Sequence, residues 1–268
     1  MLKLSGRELL YSVTALLVSV VVVQSVYAVF IRPRAEAILA QPPVSVSQSG
    51  RKVERDLRSV FVIIKDYEQE TAIILAGWSL ALLAYQARAV ARNRHLLERR
   101  YVDIGDSHVV LPEDTRAQGR PLEALPEEER ELLLPRTLLL ALNRFGATRS
   151  VQDAAEAVRD ECEFELSRLD AQLSMIRFTA WAIPAIGFVG TVRGIGRALQ
   201  EAQHAVTGDI SGVTLGLGVT FNATLTALIL TIVVMFCLHQ LQQAQDRLVL
   251  DTRSYVDRNL IRHLRVLT

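Results

Sequence analysis

Residues 183–199 of the sequence read IPAIGFVGTVRGIGRAL. The stretch is apolar enough to enter a membrane, yet it contains a proline, four glycines, a threonine and two arginines. Small residues in an apolar helix are typical of close packing between membrane helices, whereas a hydroxyl and nearby charge indicate a polar environment. The rest of the chain bears on the choice between these two interpretations.

Long hydrophobic runs dominate the chain. It has 268 residues, 50% of them hydrophobic, with a formal net charge of +1 and a mean hydropathy of +0.23. About 20 apolar residues in a helix cross a hydrocarbon core of roughly 30 Å. The nearly uncharged runs of about this length are 9–31, 71–87, 176–192 (interrupted by Arg177) and 210–238. The sequence therefore predicts an all-α, polytopic membrane protein with about four transmembrane helices and long helices that extend into the cytoplasm.

Other classes of protein are disfavoured by what the sequence lacks. The first run is too long for the core of a secretory signal peptide, and no small-residue cleavage site follows it directly. Cys162 and Cys237 lie in different segments without metal-type spacing, so we expect neither a disulfide nor a metal site. No phosphate-binding glycine loop, nucleophile elbow or Cys/His pair is visible. We therefore expect no enzymatic activity and no cofactor.

Basic residues beside the runs predict the orientation of the chain. Five arginines follow the second run and should remain in the cytoplasm: Arg88, Arg92, Arg94, Arg99 and Arg100. With four spans, this arrangement places both termini in the cytoplasm. A second basic group, between residues 32 and 58, falls on the outer side, contrary to the usual rule.

The chain divides into six predicted segments. They are 1–31, an N-terminal transmembrane helix; 32–70, a linker and amphipathic helix; 71–91, the second transmembrane helix; 92–175, a cytoplasmic loop and helical region; 176–240, paired transmembrane helices; and 241–268, a C-terminal cytoplasmic helix. Residues 41–50 have a linker composition, and 51–70 predict an amphipathic helix continuous with the second span. Turn formers and acids predict a loop over 103–131. A helix capped by Ser150 or Asp153 should then run into the third span without interruption.

The last two runs each have a face of small and hydroxylated residues. Helical spacing aligns Pro184, Gly187, Thr191, Gly194 and Ala198 on one helix, and Val213, Gly216, Thr220, Thr224, Ala227 and Thr231 on the other. Packing accounts for such faces, because threonine hydroxyls can bond to a carbonyl one turn back. Aligned hydroxyls on two facing helices instead favour a polar path, and Asn222 adds an amide on a neighbouring face.

No run contains an aspartate or glutamate. Moving H⁺ or Na⁺ through a bilayer normally requires an ionisable or strongly coordinating group at membrane depth. Hydroxyls and backbone carbonyls can line a route, but they cannot be the titrating site. If this protein conducts ions, the carboxylate must come from another chain.

Two segments resemble the last two spans of the MotA/TolQ/ExbB proton-channel family. They are PAIGFVGTVRGI (184–195) and GVTLGLGVTFNATLTALILTI (212–232). The first contains the Gly-Thr-Val-x-Gly-Ile element typical of the TolQ and ExbB branch, and its Pro-Ala-x-Gly start also occurs in MotA. The resemblance covers about 150–245, and the four-span layout is similar to that of MotA.

The resemblance implies a fold and a mechanism. In the family, five copies form a ring around two membrane helices of a MotB/TolR/ExbD-like single-span partner, whose membrane aspartate is alternately protonated and released. By motif match, Thr191 and Thr224 correspond to the family's threonines on its two pore helices, and Pro184 to the proline that shapes the first. Together with Thr220 from the hydroxyl stripe, the two threonines form the predicted ion path. The predicted shaping or packing residues are Pro184, Gly187, Gly190, Gly194 and Asn222, and the predicted outer-end charges are Arg193 and Arg197.

The sequence departs from the family at two positions. Val219 stands where ExbB-like proteins carry a glutamate, and Arg193 occupies a position that is often bulky and uncharged. We expect a bacterial inner-membrane, stator-like subunit that uses an H⁺ or Na⁺ gradient for transport, motility or defence. Its expected partners are further copies of itself, two copies of the single-span protein and lipid, but no nucleic acid. The alternative is a passive helical membrane scaffold that conducts no ions.

Overall fold

The structure, a computed structural model, describes residues 6–40, 44–46, 52–54, 59–98, 101, 109–205 and 211–266. Apart from two three-residue strands, its regular elements are helices, which confirms the all-α prediction. In this part of the chain, four helical stretches are long and apolar enough to cross a membrane: Leu9–Leu39, Tyr67–Leu96, Val151–Gln200 and Thr220–His263. The protein is a multi-pass membrane protein.

The chain forms two compact units. Met1–Leu83 and Met175–Leu238 make the first, here called the membrane unit, and Ala84–Ser174 and His239–Thr268 make the second, here called the core unit. Three long helices contribute residues to both: α4 (Tyr67–Leu96), α9 (Ser174–Ala205) and α10 (Ser211–Asn259).

The membrane unit begins with α1 (Gly6–Val26), which continues through a π-helical turn (Tyr27–Ile31) into α2 (Arg32–Leu39). Side chains that donate to backbone carbonyls join α1 to α4. These bonds are Tyr11 Oη to Ala81 O (3.2 Å), Ser19 Oγ to Ile74 O (2.9 Å) and Trp78 Nε1 to Ser12 O (2.9 Å). The other face of α1 exposes valines and leucines, which suits contact with hydrocarbon rather than water.

The structure differs from the prediction over residues 41–70. β1 (Val44–Val46) lies in the expected linker and pairs antiparallel with β2 (Lys52–Glu54), which lies where an amphipathic helix is predicted. The alternating Val-Ser-Val pattern of β1 suits a strand. The expected continuous helix is instead a single turn, α3 (Val60–Ile63), that ends before α4 begins. The Gln69 amide donates to Ile63 O at 2.9 Å and the Tyr27 hydroxyl to Ile64 O at 2.7 Å. These bonds satisfy carbonyls that the interrupted helix leaves free.

The core unit is a helical packing of α5 (Thr115–Glu123), α6 (Glu127–Arg130), α7 (Leu133–Thr148), α8 (Val151–Gln172) and the last part of α10, followed by a 3₁₀ turn (Ile261–His263). Its core contains Leu138, Leu142, Phe145, Ala154, Val158, Cys162, Val249, Val256 and Leu260. The prediction of a loop over 103–131 is wrong for the residues that form α5 and α6. Leu122 explains the order of α5, because its side chain is completely buried in this core.

The expected helical run from Ser150 into the third span is nearly continuous. The Ser150 hydroxyl accepts a hydrogen bond from the Asp153 backbone N–H at 3.2 Å, so the predicted cap of α8 is confirmed. Leu173 alone separates α8 from α9, and its backbone remains right-handed helical. The predicted extension of the fourth run is also helical, as part of the 49-residue α10.

An ion pair network joins α7 to α8. The Arg136 guanidinium lies 2.7 Å from both Glu161 and Glu165. Burial on its own would lower the pKa of Arg136, but its contacts with the two carboxylates raise that pKa above its ordinary value. The guanidinium therefore remains charged, which the pairing with two acids requires.

Candidate ion path

Glycines bring α9 into direct contact with α10. A Cβ atom added at Gly187 would lie 2.5 Å from Ala227 Cβ, and one at Gly190 would lie 2.6 Å from Ala223 Cβ. At Gly194, an added Cβ would overlap Thr220 Oγ1 and lie 3.0 Å from Thr220 Cα. No larger side chain fits at these positions without a shift of one helix, since real Cβ atoms do not approach so closely.

Two of the predicted threonines meet where these helices touch. The Thr191 and Thr224 hydroxyls form a hydrogen bond with one another. Both hydroxyls also reach the Gly187 carbonyl, Thr191 at 3.3 Å and Thr224 at 3.1 Å, and Thr191 lies 3.3 Å from the Thr220 carbonyl. Two hydroxyls and two carbonyls thus form a compact group, here called the oxygen cluster. Its oxygen atoms come from Gly187, Thr191, Thr220 and Thr224.

Thr220 contributes its backbone carbonyl to the oxygen cluster. Its side chain is fully buried against Gly194, so it fills the contact between the helices. Asn222 is half-buried and takes no part in the cluster. Pro184 lies inside α9, where its missing N–H leaves the Ala180 carbonyl without the usual helical donor. The sequence therefore predicted the helix on which each of these residues lies. It did not predict which of them contribute to the oxygen cluster and which do not.

Further along α10, Thr231 behaves differently from the clustered threonines. Its hydroxyl donates to the Ala227 carbonyl at 2.8 Å, within its own helix. A threonine that only packs adopts this arrangement, in which its hydroxyl bonds to its own helix.

A second inter-helix hydroxyl contact joins α4 to α9, where Ser79 Oγ lies 2.6 Å from Thr179 Oγ1 and both side chains are buried.

The predicted outer-end arginines lie beside acidic residues that the sequence reasoning left out of the membrane. Arg193 pairs with Glu68 at 2.7 Å, and Glu68 is only 9% exposed. Glu70 lies two residues later in the first turn of α4 and pairs with Arg32 at 2.6 Å. Arg197 is exposed and, with Arg193, lines a cavity of about 10 Å³, which is at the lower limit for holding one water.

Glu68 lies on the buried face of α4. Ala72, Ala76, Ser79 and Leu83 are buried at helical spacing, and Glu68 lies one turn before Ala72 on the same stripe. The second span predicted from the sequence begins at residue 71, after these charged residues, and so does not include the first turn of α4. Among the described residues, no group of three or more His, Cys, Asp or Glu side chains is placed to hold a metal ion.

The helices and their oxygen cluster define a multi-pass α-helical membrane protein with a polar group between two spans. Residues 131–254, a little under half of the chain, match the family model described as the MotA/TolQ/ExbB proton channel family, in agreement with the resemblance in the sequence. The match contains all of α8, α9 and the oxygen cluster, and it extends beyond the 150–245 expected from the motifs. No curated protein and no solved structure matches the chain.

Proposed function

We propose that this chain is a stator-like channel subunit that converts an H⁺ or Na⁺ gradient into mechanical work for transport, motility or defence. The family match supports an ion-channel role in general. The observation that carries the specific proposal is the oxygen cluster, because it joins the two helices on which the family's pore threonines are expected. Thr191 and Thr224 line the path in this proposal, and Thr220 contributes its carbonyl.

The chemistry of the cluster suits transient binding of a cation. Its four oxygens share only two hydroxyl protons, so lone pairs remain free to accept from water or a protonated carboxyl group, or to coordinate Na⁺. The cluster has no carboxylate of its own. The titrating group is therefore proposed to be an aspartate in the membrane helix of a MotB/TolR/ExbD-like partner, since a path of hydroxyls cannot by itself hold and release a proton.

The proposed complex is a ring of five copies around two partner helices in a bacterial inner membrane, with both termini of each chain in the cytoplasm. Exposed aromatic side chains on α9 and α10 support contacts beyond the single chain: Trp181 is 72% exposed, Phe188 65% and Phe221 68%. Lipid, neighbouring copies and the partner would share these surfaces.

Ion uptake by reconstituted complexes tests the proposal. The complex would be purified gently from its own membranes, placed in liposomes and energised with a potassium diffusion potential, while dyes report internal pH and Na⁺. Thr191→Val removes the hydroxyl at nearly constant volume and should lower uptake at least about tenfold. Thr231→Val is the matched control, because that hydroxyl bonds only within its own helix.

The outcomes separate the function from the residue assignment. Uptake by the unaltered complex, lost in Thr191→Val and retained in Thr231→Val with assembly intact, is the expected result. Full uptake in Thr191→Val would remove Thr191 from the path. No uptake of either ion by the unaltered complex would contradict the channel proposal.

The alternative function is a passive membrane scaffold. The close approach at Gly187, Gly190 and Gly194 favours it, because these contacts need only packing. A scaffold requires no aspartate-bearing partner and no ion flux, so the uptake experiment distinguishes the two functions directly.

A further inference from the structure

One charged contact borders the packing of α9 on α10, because Gly190 faces both Glu68 and Ala223 of α10. Arg193 follows Thr191 by two residues on α9, about 3 Å further along the helix axis but on another face of the helix. Its guanidinium pairs with the Glu68 carboxylate at 2.7 Å. The carboxylate is nearly buried, with a side chain 10% exposed, whereas the Arg193 side chain is 40% exposed. The pair therefore joins the beginning of α4 to the helix that carries the candidate path.

Gly190 makes room for this pair. A Cβ atom there would lie 3.1 Å from Glu68 Cγ and 3.3 Å from Glu68 Cβ, in addition to its overlap with Ala223. Both α10 and Glu68 of α4 therefore leave no room for a side chain at Gly190. Glu68 also lies in the first turn of α4, where the helix dipole favours a negative charge.

Acidic and basic side chains surround this contact. The cavity beside Gly190 and Gly194 is lined by two acids, Asp66 and Glu68, and by two arginines, Arg193 and Arg197. Asp66 also pairs with Lys65 at 2.7 Å, whereas Glu68 pairs with Arg193 of the lining. Loss of the Glu68 charge would leave this lining with a net positive charge next to Gly194, which packs against Thr220 of the oxygen cluster. An unpaired positive charge there would repel a cation, and more strongly the less water screens it.

We propose that Glu68 is a positioning residue for ion passage: it neutralises Arg193 and holds its guanidinium against α4, so that a cation can reach the oxygen cluster. This inference rests on the proposed channel function. It assigns a role to α4, a helix outside the segment that matches the family model. It also accounts for an arginine two residues from a proposed cation path.

Charge-changing variants of the pair test the inference in the same liposomes. Glu68→Gln should lower uptake of the conducted ion about tenfold or more, because Arg193 then remains unpaired. The double variant Glu68→Gln/Arg193→Gln should return uptake to within about threefold of the unaltered complex. Glu68→Gln/Arg193→Lys keeps the positive charge and should remain as low as Glu68→Gln alone.

Glu70→Gln is the matched control for loss of a buried ion pair. It breaks the Glu70–Arg32 contact in the same helical turn, and Glu70 is as deeply buried as Glu68 or more so, but its partner belongs to α2. Its thermal stability should fall as in Glu68→Gln, while uptake should remain close to that of the unaltered complex.

Each result has a definite meaning. Unchanged uptake in Glu68→Gln, or equal recovery in the Gln and Lys double variants, would overturn the charge-neutralising role. An equal loss of uptake in Glu70→Gln would overturn it as well, since general destabilisation would then explain both. No uptake by the unaltered complex would overturn the channel proposal and this inference with it.

Discussion

At the scale of single residues, three glycines that face α10 determine how closely the two candidate pore helices, α9 and α10, pack. Gly187, Gly190 and Gly194 each face an atom of α10 that an added Cβ would meet within 2.6 Å, whereas Gly196 has no neighbour within 4 Å. The oxygen cluster depends on this approach, because Thr191 reaches Thr224 only across the narrow gap. The glycines and the threonines are therefore parts of one arrangement.

Gly194→Ala should disrupt that arrangement. The new methyl would overlap Thr220 Oγ1 and crowd the Thr220 backbone, so the helices must separate, at a cost of about 1–3 kcal/mol. We expect a clear fall in the thermal unfolding midpoint of the detergent-solubilised protein. Gly196→Ala, the matched control, fills open space and adds helix propensity, so its midpoint should stay equal or rise. Similar midpoints for the two variants would contradict the packing described.

At the scale of elements, the beginning of α8 is fixed by local chemistry. Arg149 ends α7 in the left-handed region, with φ of 53°, and Ser150 then caps α8. The change of direction lets Phe145 and Ala154 enter the same core. A serine at this position contributes through a hydrogen bond to an otherwise free backbone N–H.

Ser150→Ala should destabilise the core unit by about 1 kcal/mol, since the Asp153 N–H loses its acceptor. Ser167→Ala is the control within the same helix. The Ser167 hydroxyl is exposed and bonds only to the Glu163 carbonyl one turn back, so its removal should be neutral or slightly stabilising. Thermal unfolding followed by circular dichroism measures both variants. A midpoint for Ser150→Ala that is no lower than that for Ser167→Ala would refute the cap's contribution.

Helices with strong local patterns were predictable from the sequence, and long-range pairings were not. The apolar runs and the Ser150 cap depend on neighbours within a few residues, and the structure agrees with both. The Glu68–Arg193 pair joins residues 125 positions apart, so no local pattern contains it. The interruption before α4 likewise depends on Tyr27, from a distant helix. The meeting of Thr191 and Thr224 was predictable only because two stripes and a family motif coincided.

At the scale of the whole molecule, the chain combines a membrane unit and a core unit through helices that contribute to both. The family segment, 131–254, includes α7, α8, α9 and most of α10, but not α1 or α4. The first two candidate spans are therefore additions to the segment that carries the oxygen cluster. If Glu68 acts as proposed, at least one of these additions participates in ion passage as well as in packing.

The most direct measurement of the central claim is native mass spectrometry of the complex, extracted under mild conditions from its own membranes. The account predicts five copies of this chain with two copies of a small single-span protein whose membrane helix contains an aspartate. A monomer or dimer without such a partner, persisting in several mild detergents, would contradict the account and favour the scaffold.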